Sequence, residues 1–265
     1  HRMCKQAALL LAFTALSGPL AAANPVKQTA PTHLYWGDTH LHTSQSFDVF
    51  LFNTPASTPE TAYRFARGEK VTSPTTGEGW QLSKPLDFLV VADHAELVGS
   101  VAKVYHGEEG YADTATGKGL LAQIGDSVAG QMLKAYHYLV RIGTGQSGGD
   151  LVTPQQAYAD LHGGTKRQAA WHDYIDTAEQ FNEPGKFTAL IGWEWTSMPG
   201  GGNLHRVIFT PDGADKAKQF LPFSQLESED PEKLWAWLDA TNKRTGTDFV
   251  AIPHNSNLSW GKMFQ

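Results

Sequence analysis

LYWGDTHLHTSQSFD, Leu34 to Asp48, is the stretch from which the rest of this chain is read. Its alternation sets Asp38, His40 and His42 at every second position. A β-strand turns such residues to one face. Two imidazoles at i and i+2 on one face are half of a metal site. Imidazole with carboxylate suits Zn, Mn or Fe, and a nearby acid can orient each ring through its other nitrogen. The question for the remaining sequence is whether it supplies further ligands.

Further candidates stand where other strands end. Leu86 to Ala92 (LDFLVVA) is an uninterrupted apolar run of strand length, as in a sheet covered on both faces, and Asp93-His94 follow it. Phe187 to Trp195 (FTALIGWEW) is a second such run and carries Glu194. Asp248 to Pro253 is a third strand, with His254 after it. His205 opens a short strand, His205 to Thr210, so it precedes its strand; the preceding Gly200-Gly201-Gly202-Asn203 is pliable enough to let it reach inward. In open α/β sheets and barrels, function collects at the carboxyl ends of parallel strands. Any one of these histidines could equally be a structural residue; their joint placement carries the argument.

Helices are expected between the strands: Pro59 to Arg67, capped by Thr58 and ended by Gly68; Ser127 to Ile142; Pro154 to Leu161; Gln168 to Phe181; and Pro231 to Arg244. The alternation predicts an α/β fold with a parallel sheet, plausibly a barrel. Residues 99–149, rich in Gly, Thr, Ser and Ala, interrupt it and read as an inserted helical segment or lid, or else as an ordinary connection carrying one helix.

The chain has 265 residues, of which 41% are hydrophobic and 18% charged, an ordinary globular balance. A net charge of −6 gives no electrostatic case for nucleic-acid binding. Residues 1–23 read as a secretory signal peptide: Arg2 and Lys5 are basic, Ala7 to Leu16 is apolar but too short to span a bilayer, and Ala21-Ala22-Ala23 suits cleavage after Ala23. The alternative, a buried helix, would be broken by Gly18-Pro19. Residues 24–32 form a polar leader, and 33–265 the functional domain. Cys4 is the single cysteine and leaves with the signal, so any metal is held by nitrogen and oxygen. Export without disulfides implies a periplasmic or secreted protein with no membrane association after cleavage.

His33, His106, His137, His162 and His172 read as surface or packing residues, and Trp193, Trp195, Trp235 and Trp237 as core or pocket wall. No GxxxxGK[ST] P-loop occurs.

The order HxH, DH, GxE, H and PHN resembles the PHP superfamily, named for polymerase and histidinol phosphatase domains. The wording is closest to a secreted branch catalogued as domain of unknown function 3604, in LYWGDTHLHTSQSFD, PETAYRFARG, LSKPLDFLVVADHAE, EPGKFTALIGWEWTS, GGNLHRVIF and AIPHNSNLSWGKMF. The resemblance implies a distorted (β/α)7 barrel with two or three divalent metal ions. His40 and His42 would hold the first ion, Glu194 would bridge first and second, and His205 and His254 would complete the second. Asp48 and His94 would serve a third, Asp48 standing where other members often have His. The family's last Asp-x-His motif does not follow His254, so the resemblance further implies a sequence incomplete at its C-terminus, with first and third metals short of ligands.

The chemistry this implies is metal-assisted hydrolysis of a small anionic substrate, a phosphate ester first of all. The candidate catalytic carboxylates are Asp93 and Glu96. Asp93, with Asp38, would orient histidines; Glu96 would protonate a leaving group, or else serve as a helix-start carboxylate. Arg206 could hold phosphate, but strand alternation turns it away from His205. The alternatives are an amidohydrolase-like enzyme acting on amide, lactone or sulfate esters, and a non-catalytic metal-binding fragment.

Overall fold

The apolar run after Leu86 forms an interior strand of the sheet, with Leu89, Val90 and Val91 excluded from solvent. The computed structural model describes residues 32–124, 129–143 and 152–264, and the chain from Tyr35 onward folds as one unit. The expected signal peptide, and the leader up to residue 31, lie outside the described residues.

Five strands make the main sheet: β1 (Gly37–Leu41), β4 (Phe88–Val91), β5 (Thr188–Trp195), β6 (Arg206–Thr210) and β7 (Val250–Pro253), adjacent in that order. Between β1 and β4 lies a two-stranded hairpin, β2 (Val71–Thr72) with β3 (Gly79–Trp80). Strands β1, β4 and β5 are parallel, whereas β6 runs antiparallel to both β5 and β7. The expected all-parallel arrangement therefore fails at β6. A parallel return needs a crossover of about a dozen residues or more, usually helical. The link Thr196–His205 carries only a single 3-10 turn, Pro199–Gly201, and so brings the chain straight back. The expected seven-stranded barrel is likewise not what the described residues form: they make a mixed sheet curled into half a barrel. At the centre of the curl, a Cβ on Gly192 would sit 2.5 Å from Val90 Cγ1 and 2.8 Å from the Ile208 carbonyl, so the neighbouring strands close over a position only glycine fits.

Among the described residues eight helices accompany the strands: α1 (Pro59–Ala66), α2 (Ser100–Tyr105), α3 (Ala115–Ile124), α4 (Ala129–Gly143), α5 (Pro154–His162), α6 (Lys166–Phe181), α7 (Ala214–Ala217) and α8 (Pro231–Thr245). Local chemistry sets their starts. Thr58 accepts from the Thr61 N–H, Thr153 from Gln156 and Asp230 from Glu232, each followed by proline at the first helical position. None of the described helices is long and apolar enough to cross a membrane.

One side of the sheet packs on α1, α6 and α8 around Trp171, Trp193 and Phe220, with Trp237 and Phe249 at its margin. Helices α2 to α5 gather a second core around Val101, Leu120, Leu139 and Leu161. That core includes Val49 and Phe50 from the 3-10 turn Phe47–Phe50. The described part of residues 99–149 thus holds three helices, where the reading as a connection expected one.

Candidate metal centre

Glu194 sits near the end of β5, excluded from solvent, and four imidazoles converge on it. Its Oε1 lies 2.6 Å from His205 Nδ1 and 2.5 Å from His254 Nε2. Its Oε2 lies 3.0 Å from His40 Nε2 and 2.7 Å from His42 Nε2. His40 and His42 approach each other at 2.9 Å between their Nε2 atoms, as the alternation at the end of β1 anticipates. His42 extends the cluster: its Nδ1 lies 2.8 Å from Asp48 Oδ2, on the 3-10 turn. His94, bridged to Glu194 in the sheet, brings its Nε2 to 3.8 Å from the same Asp48 oxygen and its Nδ1 to 3.6 Å from Glu194 Oε2. All seven sequence-predicted ligands therefore share one cluster.

The antiparallel course of β6 explains His205. Because β6 runs opposite to its neighbours, its beginning lies at the same edge as the carboxyl ends of β1, β4, β5 and β7. His205 needs no unusual reach. Just beyond His254, Asn255 takes a left-handed conformation (φ 56°), which Asn tolerates, and turns the chain away.

Burial and charge shape the site. Burial works against the Glu194 carboxylate, but the surrounding imidazoles outweigh it and hold the group well below the usual carboxylate range. Burial lowers His42 too, yet its contacts with Asp48 and Glu194 prevail and lift it to about 10. His94 is pulled down to about 4, chiefly by burial.

Three ligand sets each bring their donor atoms within 4.8 Å of one another: His40, His42 and Glu194; His42, Asp48 and His94; and His94, Glu194 and His205. Two buried atoms of the cluster, His205 Nε2 and Asp48 Oδ1, have no hydrogen-bond partner in the protein. Buried polar atoms are seldom left so, and cations coordinated at the cluster would satisfy them. The nitrogen and oxygen donors suit a divalent cation such as Zn, Mn or Fe.

The other acids hold the frame. Asp38 accepts from the backbone N–H of His40 at 2.8 Å, not from a ring. Asp93, fully buried, accepts from Thr43 N at 2.5 Å and Thr43 Oγ1 at 2.7 Å, so it pins the turn after His42. Burial raises its carboxyl against those bonds. Glu96 accepts from Thr196 Oγ1 at 2.5 Å and from Gln225 N at 2.7 Å, which places it one hydroxyl away from His94. Arg206 stacks on Trp195 and Trp235 and donates to the Leu204 carbonyl, away from the cluster.

Sequence reasoning passed over Thr43, Ser46, Phe47 and Thr196. Ser46 Oγ accepts from the His94 N–H at 2.9 Å, and Phe47 stacks on the His94 ring at 4.7 Å. Thr196 carried a signal, since it stands two residues past Glu194 and strand alternation puts the two on one face.

The family model described as "Protein of unknown function (DUF3604)" matches residues 29–265, and the chain belongs to that family. No curated protein and no solved structure matched it.

Proposed function

We propose that this member of the DUF3604 family is a metal-dependent hydrolase whose first substrate class is phosphate esters. The observation that carries the reading is Glu194: one buried carboxylate within 3.0 Å of four imidazoles drawn from the ends of three strands. His40, His42, Glu194, His205 and His254 would hold two cations, and Asp48 with His94 would add a third. When bound, divalent cations there supply Lewis acidity toward an ester oxygen and lower the pKa of a water to about 7. The protein's part is to fix the ligands. Glu194 gives each of its oxygens to two rings, and Asp93, through Thr43, secures the turn that leaves His42 facing Asp48. Cation charge would also offset the chain's acidity for an anionic substrate. Kinship with the PHP superfamily belongs to the same proposal and rests on the order of the HxH, DH, GxE and PHN motifs. Export to the periplasm or medium is proposed from the basic and apolar character of residues 1–23.

The test is elemental analysis of purified protein beside a panel of chromogenic phosphate, sulfate and carboxyl esters. Turnover of phosphate esters, lost with chelator and regained with Mn or Zn, is expected. Turnover confined to sulfate or carboxyl esters would move the protein to an amidohydrolase-like chemistry. Bound metal without turnover would leave a metal-binding protein only.

A further inference from the structure

We infer that Glu96 and Thr196 form a positioning relay that fixes the tautomer of His94, so that His94 ligates through Nε2 beside His42 and Asp48. The inference rests on the metal-centre reading above and deepens it. His94, Thr196 and Glu96 are all buried, at 6%, 4% and 5% exposure, which leaves no room for solvent to substitute for their mutual bonds.

The polarity of the chain follows from counting protons. The backbone N–H of Gln225 can only donate, and it meets Glu96 Oε1 at 2.7 Å. With Glu96 as a carboxylate, whose oxygens can only accept, the Thr196 hydroxyl donates to Oε2 at 2.5 Å. A threonine hydroxyl has a single hydrogen, so toward His94 Nδ1, 2.6 Å away, it offers only a lone pair. His94 Nδ1 must then carry the ring proton, which leaves the lone pair on Nε2. That atom faces Asp48 Oδ2 at 3.8 Å.

This separates two ligand sets that distance alone leaves open. His94 belongs to the group with His42 and Asp48 and is withdrawn from the group with Glu194 and His205, although its Nδ1 lies 3.6 Å from Glu194 Oε2. Ser46 and Phe47 hold the backbone and ring plane of His94 while Thr196 and Glu96 set its proton.

The relay is tested in metal-free protein by the ring 15N shifts of labelled histidine, with the His94 signals identified by their loss in His94→Gln. Wild type should show His94 protonated at Nδ1. Glu96→Gln should reverse this. Gln225 N–H still needs an acceptor, so the new amide oxygen takes the Oε1 position and its NH2 faces Thr196. The hydroxyl must then donate to Nδ1, and the ring proton moves to Nε2. Zinc affinity at the His94 site should fall about 10- to 100-fold in Glu96→Gln and Thr196→Val, the range for losing a group that orients a ligand. Thr196→Ser should keep it within about threefold of wild type. If Thr196→Val fails to fold, Glu96→Gln, which keeps the shape of the side chain, decides the matter. An Nε2 proton in wild type, or an unchanged tautomer and affinity in Glu96→Gln, would overturn the relay. Both expected tautomers without zinc uptake by wild type would leave the relay standing and overturn the metal reading.

Discussion

Metal binding at this cluster must compete with a proton on His42. A ligating imidazole has to be neutral. Burial depresses His42, but hydrogen bonds to Asp48 at 2.8 Å and Glu194 at 2.7 Å, with their charges, outweigh it and set the group at about 10 in the metal-free protein. At pH 7 an incoming cation therefore displaces a proton held about three pH units above neutrality, at roughly 1.36 kcal/mol each, or about 4 kcal/mol. Apparent affinity should rise about tenfold per pH unit above 7, so by about a hundredfold between pH 7 and 9. The assay is isothermal titration with Mn in buffers of different ionisation enthalpy, which also counts protons released. About one should leave per ion bound beside His42. Asp48→Asn removes one of the two acids that lift His42 and should flatten the slope. In the metal-free chain the sign is reversed. A pKa raised from 6.5 stabilises the fold fully below pH 6.5, and that contribution is lost as pH rises through about 10. Affinity independent of pH from 7 to 9, with no proton released, would refute this reasoning.

Glu194→Gln should abolish binding of the two cations that Glu194 is proposed to bridge, because an amide turns its NH2 toward one pair of imidazoles. Elemental analysis should show the loss with an unchanged far-UV circular dichroism spectrum, and full hydrolysis by the variant would contradict the bridging role. His162, buried at the end of α5, is pulled from 6.5 to about 4, by burial first and by the Arg167 charge. Its contribution to stability is present above pH 6.5 and lost as pH falls toward 4, up to about 3 kcal/mol, so His162→Leu should show shallower acid destabilisation in urea titrations; an identical pH profile would refute it. Trp193, in edge contact with Trp171 and Trp237, donates to the Phe223 carbonyl at 3.0 Å. Trp193→Ala should cost about 3–5 kcal/mol by denaturant unfolding, and a cost under about 1 kcal/mol would remove it from the core.

The members of the cluster were legible in the sequence because parallel strands deliver their carboxyl ends to one edge. His40 and His42, His94, Glu194 and His254 each stand at such an end, and period-two alternation is enough to aim them. The segment 99–149 was harder. Its helices α2 and α3 are short, and α3 holds Gly117 and Gly119, so neither advertises a strong apolar stripe. They are held by a core shared with Val49 and Phe50, a long-range partnership that no local pattern announces.

His205 shows where strand reading needs one more step. Its position before a strand counts against it only if every strand runs the same way, and the link Thr196–His205 is too short and too poor in helix for a parallel return. Taken as a reversal, that link turns the objection into support: an antiparallel β6 must begin at the edge where its neighbours finish. The same step places Thr196 at the start of the reversal, on the face of Glu194, where its hydroxyl meets both His94 and Glu96. The direction of a single strand thus determines both a ligand of the cluster and the group that orients another.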